Sequence, residues 1–252
     1  AMPMSVFLLA DAGDSAGVLA LFDERTAKID GRDSDGRTAV HHAAVAGHSA
    51  LLRDLIQRGA QVNTQDDGNW SPLNSAASAG RDDCVDELIA AGAKLESGVG
   101  ASGSTALILA ASKGHTGVVQ ALLAASANPL AVDASGGTAL HRSAAKGHVA
   151  IVETLIAAVP ALIDLRDKEG NTAFHIAATH EQAVACIALA EAGAELSTTN
   201  SDGETPASLL KPSLQSQLGL LGAEDAEADH TDWLTEHYPV PAGGGANRRA
   251  AV

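Results

Sequence analysis

Residues 36–48 read GRTAVHHAAVAGH, and residues 136–148 read GGTALHRSAAKGH. The two distant stretches share a hydroxyl, a histidine, small residues and a closing Gly-His at matching offsets. Working outward, the same frame fits NWSPLNSAASAGR at 69–81, GSTALILAASKGH at 103–115, GNTAFHIAATHEQ at 170–182 and GETPASLL at 203–210. The hydroxyl slot falls at Thr38, Ser71, Thr105, Thr138, Thr172 and Thr205, so successive units are 33 or 34 residues long. A fixed period of this length marks a stack of units, each of which buries its apolar face only against its neighbours. ADAGDSAGVLALF, at 10–22, fits a first unit with a degenerate front half.

Each slot has a physical reason. The Thr or Ser hydroxyl caps a first helix, and Pro72 and Pro206 fit its first turn. Asn69 stands where other units carry glycine before the hydroxyl, a turn position that needs a positive φ, which Asn tolerates best after Gly. Ala43-Ala44, Ala76-Ala77 and Ala110-Ala111 let helices approach closely, and Gly47, Gly80, Gly114 and Gly147 end the short helix. A second helix follows with Leu, Ile and Val on one face. Leu55, Leu88, Leu122 and Leu155 recur there at one offset.

This unit resembles the ankyrin repeat. Thr38-Ala39-Val40-His41 and Thr138-Ala139-Leu140-His141 carry its T-x-L-H core, and Ala43 to His48 and Ala110 to His115 carry its AAxxGH ending. The resemblance implies an all-α solenoid of about seven repeats with short β-hairpin fingers. Its boundaries are a four-residue N-terminal remnant (1–4), the repeat domain (5–221), and an acidic, then Gly/Pro-rich tail (222–252).

Composition narrows the function. The chain of 252 residues is 46% apolar, enough for a sizeable core, yet only 2% aromatic, so that core is built of Ala, Leu, Ile and Val. A net charge of −15 repels phosphate backbones and argues against nucleic acid. No apolar run reaches the roughly 20 residues that span a bilayer, so no membrane partner is expected. Cys84 and Cys186 sit in Ala/Val/Ile-rich helical segments without CxxC spacing, which points to buried, reduced thiols and a cytoplasmic, also nuclear, location. A monomer is expected.

Several stretches imitate catalytic or ligand sites. DDGNWSPLNSAASAGRDD, at 66–83, gathers four carboxylates, but Asp66 repeats the acid that opens a loop at Asp33, Asp133 and Asp167. Asp82 and Asp83 read as first-turn acids of a second helix. Gly98 to Gly103 spells GxGxxG without the preceding strand of a dinucleotide fold. GRDSDG, at 31–36, lacks the acid spacing and closing Glu of a calcium loop. His41, His48, His115, His141, His148 and His175 occupy repeat slots suited to hydrogen bonding. His230, Asp232 and His237 form a weak metal candidate in the tail. No catalytic triad is legible, and neither enzyme activity nor a cofactor or metal is expected.

The likeness narrows further. DDGNWSPL (66–73), SDGRTAVHHAAVAGH (34–48), TALHRSAAKGH (138–148) and RDKEGNTAFHIA (166–177) are similar to the gankyrin-type ankyrin-repeat chaperones of proteasome assembly. That resemblance implies a concave groove holding the C-terminal domain of an ATPase subunit of the 26S proteasome base. Its partner-binding residues map onto Asp35, Arg37, Asp67, Trp70, Lys113, Arg142 and Lys146. The retinoblastoma-binding L-x-C-x-E segment of that group is absent from Ile176 to Glu181. The charges read alone agree: Asp33, Asp35, Asp66 and Asp67 mark one end of a groove, and Lys113, Arg142 and Lys146 the other. A generic ankyrin adaptor or kinase inhibitor is the alternative. Trp233 and Leu234 are expected to clip onto the last repeats.

Overall fold

The computed structural model describes residues 5–219. The tail positions singled out above, His230 to Tyr238, lie outside them. The chain divides into two units between Leu210 and Lys211. The described part of the second unit holds one helix, Pro212–Gln217, opened by its proline.

The first unit is a run of helix pairs: α1 (Val6–Asp11) with α2 (Ser15–Asp23), α3 (Ala39–Ala46) with α4 (Ser49–Gln57), and α5 (Pro72–Ala79) with α6 (Asp82–Ala90). These continue as α7 (Ala106–Lys113) with α8 (Thr116–Ala124), α9 (Ala139–Ala145) with α10 (Val149–Ala158), and α11 (Ala173–Thr179) with α12 (Ala183–Glu191). The seventh repeat forms only a 3-10 turn, Ala207–Leu209. First helices pack on first helices, α3 on α5, α5 on α7, α7 on α9 and α9 on α11, while the second helices form a parallel row. These rows are called inner and outer below.

The inner row is dense because its contact residues are small: Ala43, Ala44, Ala76, Ala77, Ala110 and Ala111 are fully buried. The outer row contributes Leu55, Leu88, Leu122, Leu155 and Leu189, also without exposure. Asn69 takes a φ of +62°, as its slot requires.

Among the described residues no β-strand is present; the fingers are five-residue turns. Two backbone bonds close each: the N–H of Asp33, Asp66, Asp133, Asp167 or Asn200 donates to the carbonyl four residues on, and its carbonyl accepts from the N–H three residues on. The opening side chain holds the turn from inside. Asp33 Oδ1 accepts from the N–H groups of Asp35 and Arg37, and Asp66, Asp133, Asp167 and Asn200 repeat this pattern. The periodic acid is thus a turn-builder. The GxGxxG stretch is the odd finger: its extra residue makes a 3-10 turn, Gly100–Ser102, and a lone bridge joins Val99 to Ser104.

Hydrogen bonds tie each repeat to the next at recurring places. In the helix-capping slot, Thr38 N–H donates to His41 Nδ1, and His41 Nε2–H donates onward to the carbonyl of Trp70 at 3.1 Å. His141 reaches Asn171, and His175 reaches Glu204, in the same way. Ser71 and Asn74 are the polar substitute, with Asn74 Nδ2 donating to Ser97. In the second slot, His48, Arg81 and His115 reach back to carbonyls in the last turn of the preceding inner helix, at Asp11, Val45 and Ser78. At the base loops, Asp30, Asn63, Glu96 and Asp164 accept the N–H groups of Gln61, Lys94, Asn128 and Glu195. Fingers join through Asp67 to Asp35, Ala134 to Ser102, Lys168 to Ser135, and Ser201 to Glu169.

Repeat four breaks the capping pattern. Ile108 stands where its neighbours carry His or Asn, and the buried Thr105 Oγ1 has no partner. A desolvated hydroxyl without a hydrogen bond is destabilising, and valine has the same shape. Thr105→Val is therefore expected to raise stability by about 1 kcal/mol; a lower urea midpoint would contradict it.

Candidate protein-binding surface

The inner helices and the fingers make one face. The inner helices α3, α5, α7, α9 and α11 contain no Asp or Glu, although the chain is strongly acidic. Their charged residues are cations: Lys113 in the last turn of α7 and Arg142 in that of α9. Lys146 caps α9. The outer helices carry the acids, including Asp82, Asp83, Asp86 and Glu87 on α6.

Of the residues singled out in the sequence, Asp35 and Asp67 are exposed on adjoining finger tips, linked by the bond from Asp67 N–H to Asp35 O at 3.0 Å. Arg37 is half exposed and reaches Asp66 Oδ2 at 3.5 Å. Trp70 donates its backbone N–H to Asp66 Oδ1 at 2.9 Å. Arg37 and Trp70 share a depression of about 370 Å3 whose lining includes Asp11, His42, Val45 and Ser75. Lys113 and Lys146 stand exposed, and neither makes a salt bridge among the described residues. Arg142 is engaged: its Nε lies 2.6 Å from Asp133 Oδ2, on a carboxylate that is only 6% exposed. It holds its own finger as well as facing the groove.

Asp11 and His42 were not legible as members of this surface. His42 lies between two carboxylates, with Nδ1 2.8 Å from Asp11 and Nε2 2.8 Å from Asp33. It ties the first repeat to the finger of the second. A signal existed in the sequence: His42 follows Asp33 by nine residues, as Arg142 follows Asp133.

Burial on its own would raise Asp33, but the N–H groups of Arg37 and Asp35 and the His42 ring outweigh it and hold the carboxyl low. Asp133 follows the same balance, with Ser135, Arg142 and Gly137 overcoming burial. Burial pushes His41, His141 and His175 below the ordinary imidazole value of 6.5. That fits their Nδ1 atoms, each of which accepts an amide N–H. Both effects make the fold acid-sensitive. For the histidines the unfolded chain binds protons first, so their contribution is present above pH 6.5 and is lost as pH falls below it. The two aspartates follow as pH falls below their ordinary value of 3.8. Stability measured by urea at fixed salt is expected to fall from pH 7 to pH 5.5; a flat profile would contradict it.

Burial raises Cys84 to about 11 and Cys186 to about 12, so both thiols stay protonated and inert. No group of three or more His, Cys, Asp or Glu is placed to hold a metal among the described residues, and no described helix is long and apolar enough to cross a membrane.

The profile described as "Ankyrin repeats (3 copies)" matches residues 6–98 and 94–163. The chain belongs to the ankyrin-repeat family. The ankyrin repeat domain of human ASB11 is similar in structure, with a TM-score of 0.77 at 24% identity over 86% of this chain and 97% of that one. The ankyrin repeat domain of Bcl-3, described as a unique member of the IkappaB family, gives 0.73 at 22% identity, over 82% and 94%. No curated protein matches in sequence. At these identities the ankyrin likeness is one of fold. Ankyrin repeats are protein-interaction modules.

Proposed function

We propose that the chain is a non-enzymatic protein-binding module that receives a polypeptide partner along the inner face. The observation that supports it is the charge division. A strongly acidic protein keeps Asp and Glu off the inner helices α3, α5, α7, α9 and α11, sets Asp35 and Asp67 on the tips of repeats two and three, and places Lys113 and Lys146 on repeats four and five. Such a face orients a partner that carries a basic segment and an acidic segment in the opposite order. Within this reading, the finer proposal is a proteasome-assembly chaperone whose partner is the C-terminal domain of a base ATPase subunit of the 26S proteasome, in a cytoplasmic or nuclear setting. It rests on the four gankyrin-type stretches and on Asp35, Arg37, Asp67, Trp70, Lys113, Arg142 and Lys146.

The test is direct binding of a purified base-ATPase C-terminal domain to the full chain. Reversing Asp35 and Asp67 to Lys is expected to weaken it about tenfold at low salt, since both acids are exposed rim charges. Lys113→Glu with Lys146→Glu acts at the other end. No binding to any base ATPase would leave the adaptor alternative, in which a different protein occupies the same face. Binding that survives both sets of reversals would remove the inner face as the docking surface.

A further inference from the structure

We infer that the junction between repeats four and five is the built-in hinge of the solenoid, at which the two halves of the inner face change their relative angle. The capping-slot bond is the inter-repeat link made by fully buried side chains, and it joins repeats two to three, five to six and six to seven through His41, His141 and His175. Asn74 supplies it from repeat three to repeat four. From repeat four to repeat five Ile108 replaces it, and Thr105 is left with an unpaired buried hydroxyl. The second-slot bond fails at the same junction. His148 lies against Gly114, but makes no bond like those of His48, Arg81 and His115 to the preceding helix end.

Two links remain, Ala134 N–H to Ser102 O and Asn128 N–H to Glu96, and all four residues are exposed. Water competes for exposed bonds, whereas a buried bond fixes both distance and angle. What holds the seam is apolar packing between α7 and α9, through residues such as Ile108 and Leu140. Apolar contact is non-directional, so it resists separation more than rotation. From repeat two onward every other junction keeps the buried bond: the fingers do not join between repeats three and four, and between repeats five and six Leu130 cannot accept at the base loop and Gln182 turns to His180 in place of a second-slot bond. Repeat one carries the exposed Leu8 in the capping slot and is held to repeat two by the bonds of His42 and His48. Lys113 and Lys146 lie on opposite sides of this hinge, so under the binding function proposed above, a partner carboxylate that met both would lock it.

The fingers contain their own probes. The amides of Asp67, Ala134 and Lys168 occupy one slot and each bonds across a junction, the second across the hinge. In the full chain without any partner, hydrogen exchange corrected for intrinsic rates is expected to be at least tenfold faster at Ala134 than at Asp67 and Lys168. Equal protection at the three would overturn the inference. Thr105→Ser with Ile108→Asn copies the Ser71–Asn74 pair, and is expected to bring Ala134 to the level of Lys168. A folded variant in which Ala134 exchanges as before would also overturn it. Since no partner is present, these outcomes are independent of whether the inner face binds one.

Discussion

Leu122→Ala is expected to destabilise the chain by about 2–5 kcal/mol, the largest single effect among the substitutions considered. Leu122 has no exposure. Its helix, α8, packs on α6 on one side and on α10 on the other, so the cavity opens against two repeats. The neighbours of a close-packed alanine-rich interface have little room to collapse into such a space. Because repeats couple only to adjacent repeats, urea unfolding followed by Trp70 fluorescence and by circular dichroism is expected to separate into two transitions. An unchanged midpoint would mean that the repeat register is wrong.

Asp133→Ala is expected to lose about 2–4 kcal/mol. The carboxylate accepts from the Ser135 and Gly137 N–H groups, from the Ser135 hydroxyl and from Arg142, so truncation leaves two turn amides and a guanidinium without their acceptor. Asp133→Asn keeps an oxygen for the amides and weakens only the Arg142 pair, so it is expected to retain more than half of the lost stability. Arg142→Ala separates the remaining effects, because it removes the cation while leaving the turn bonds in place. Equal losses for Asn and Ala, measured by urea denaturation, would show that the ion pair and not the turn dominates.

The fold was legible because its signal repeats. Thr38, Ser71, Thr105, Thr138 and Thr172 each stand one residue before an inner helix, and Asp82 and Asp83 lie in the first turn of α6. A period repeated at one spacing is read from letters alone. The fingers were legible as turns but not as their detailed form, because the two bonds within each five-residue turn do not extend into strands. The surface was legible only in part. The exposure of Asp35 and Asp67 follows from turn position, and that of Lys113 and Lys146 from their place at the ends of inner helices. The engagement of Arg142 by Asp133 depends on where a turn delivers a side chain onto the next helix, which spacing does not show until a second example, Asp33 with His42, exposes the rule. Asp11 joins the surface from 31 residues away, through a helix whose repeat is degenerate in sequence.

The backward-reaching bonds carry a consequence for synthesis. His48, Arg81 and His115 finish the ends of inner helices that precede them by 36 or 37 residues. Through its first three repeats a nascent chain leaving the ribosome therefore ends in a helix whose last carbonyls await a side chain not yet translated. Each of these repeats matures one repeat late, and the growing end stays frayed while everything behind it is sealed. A ribosome paused inside the chain would present a finished stack with a single ragged edge, the surface that a nascent-chain chaperone meets.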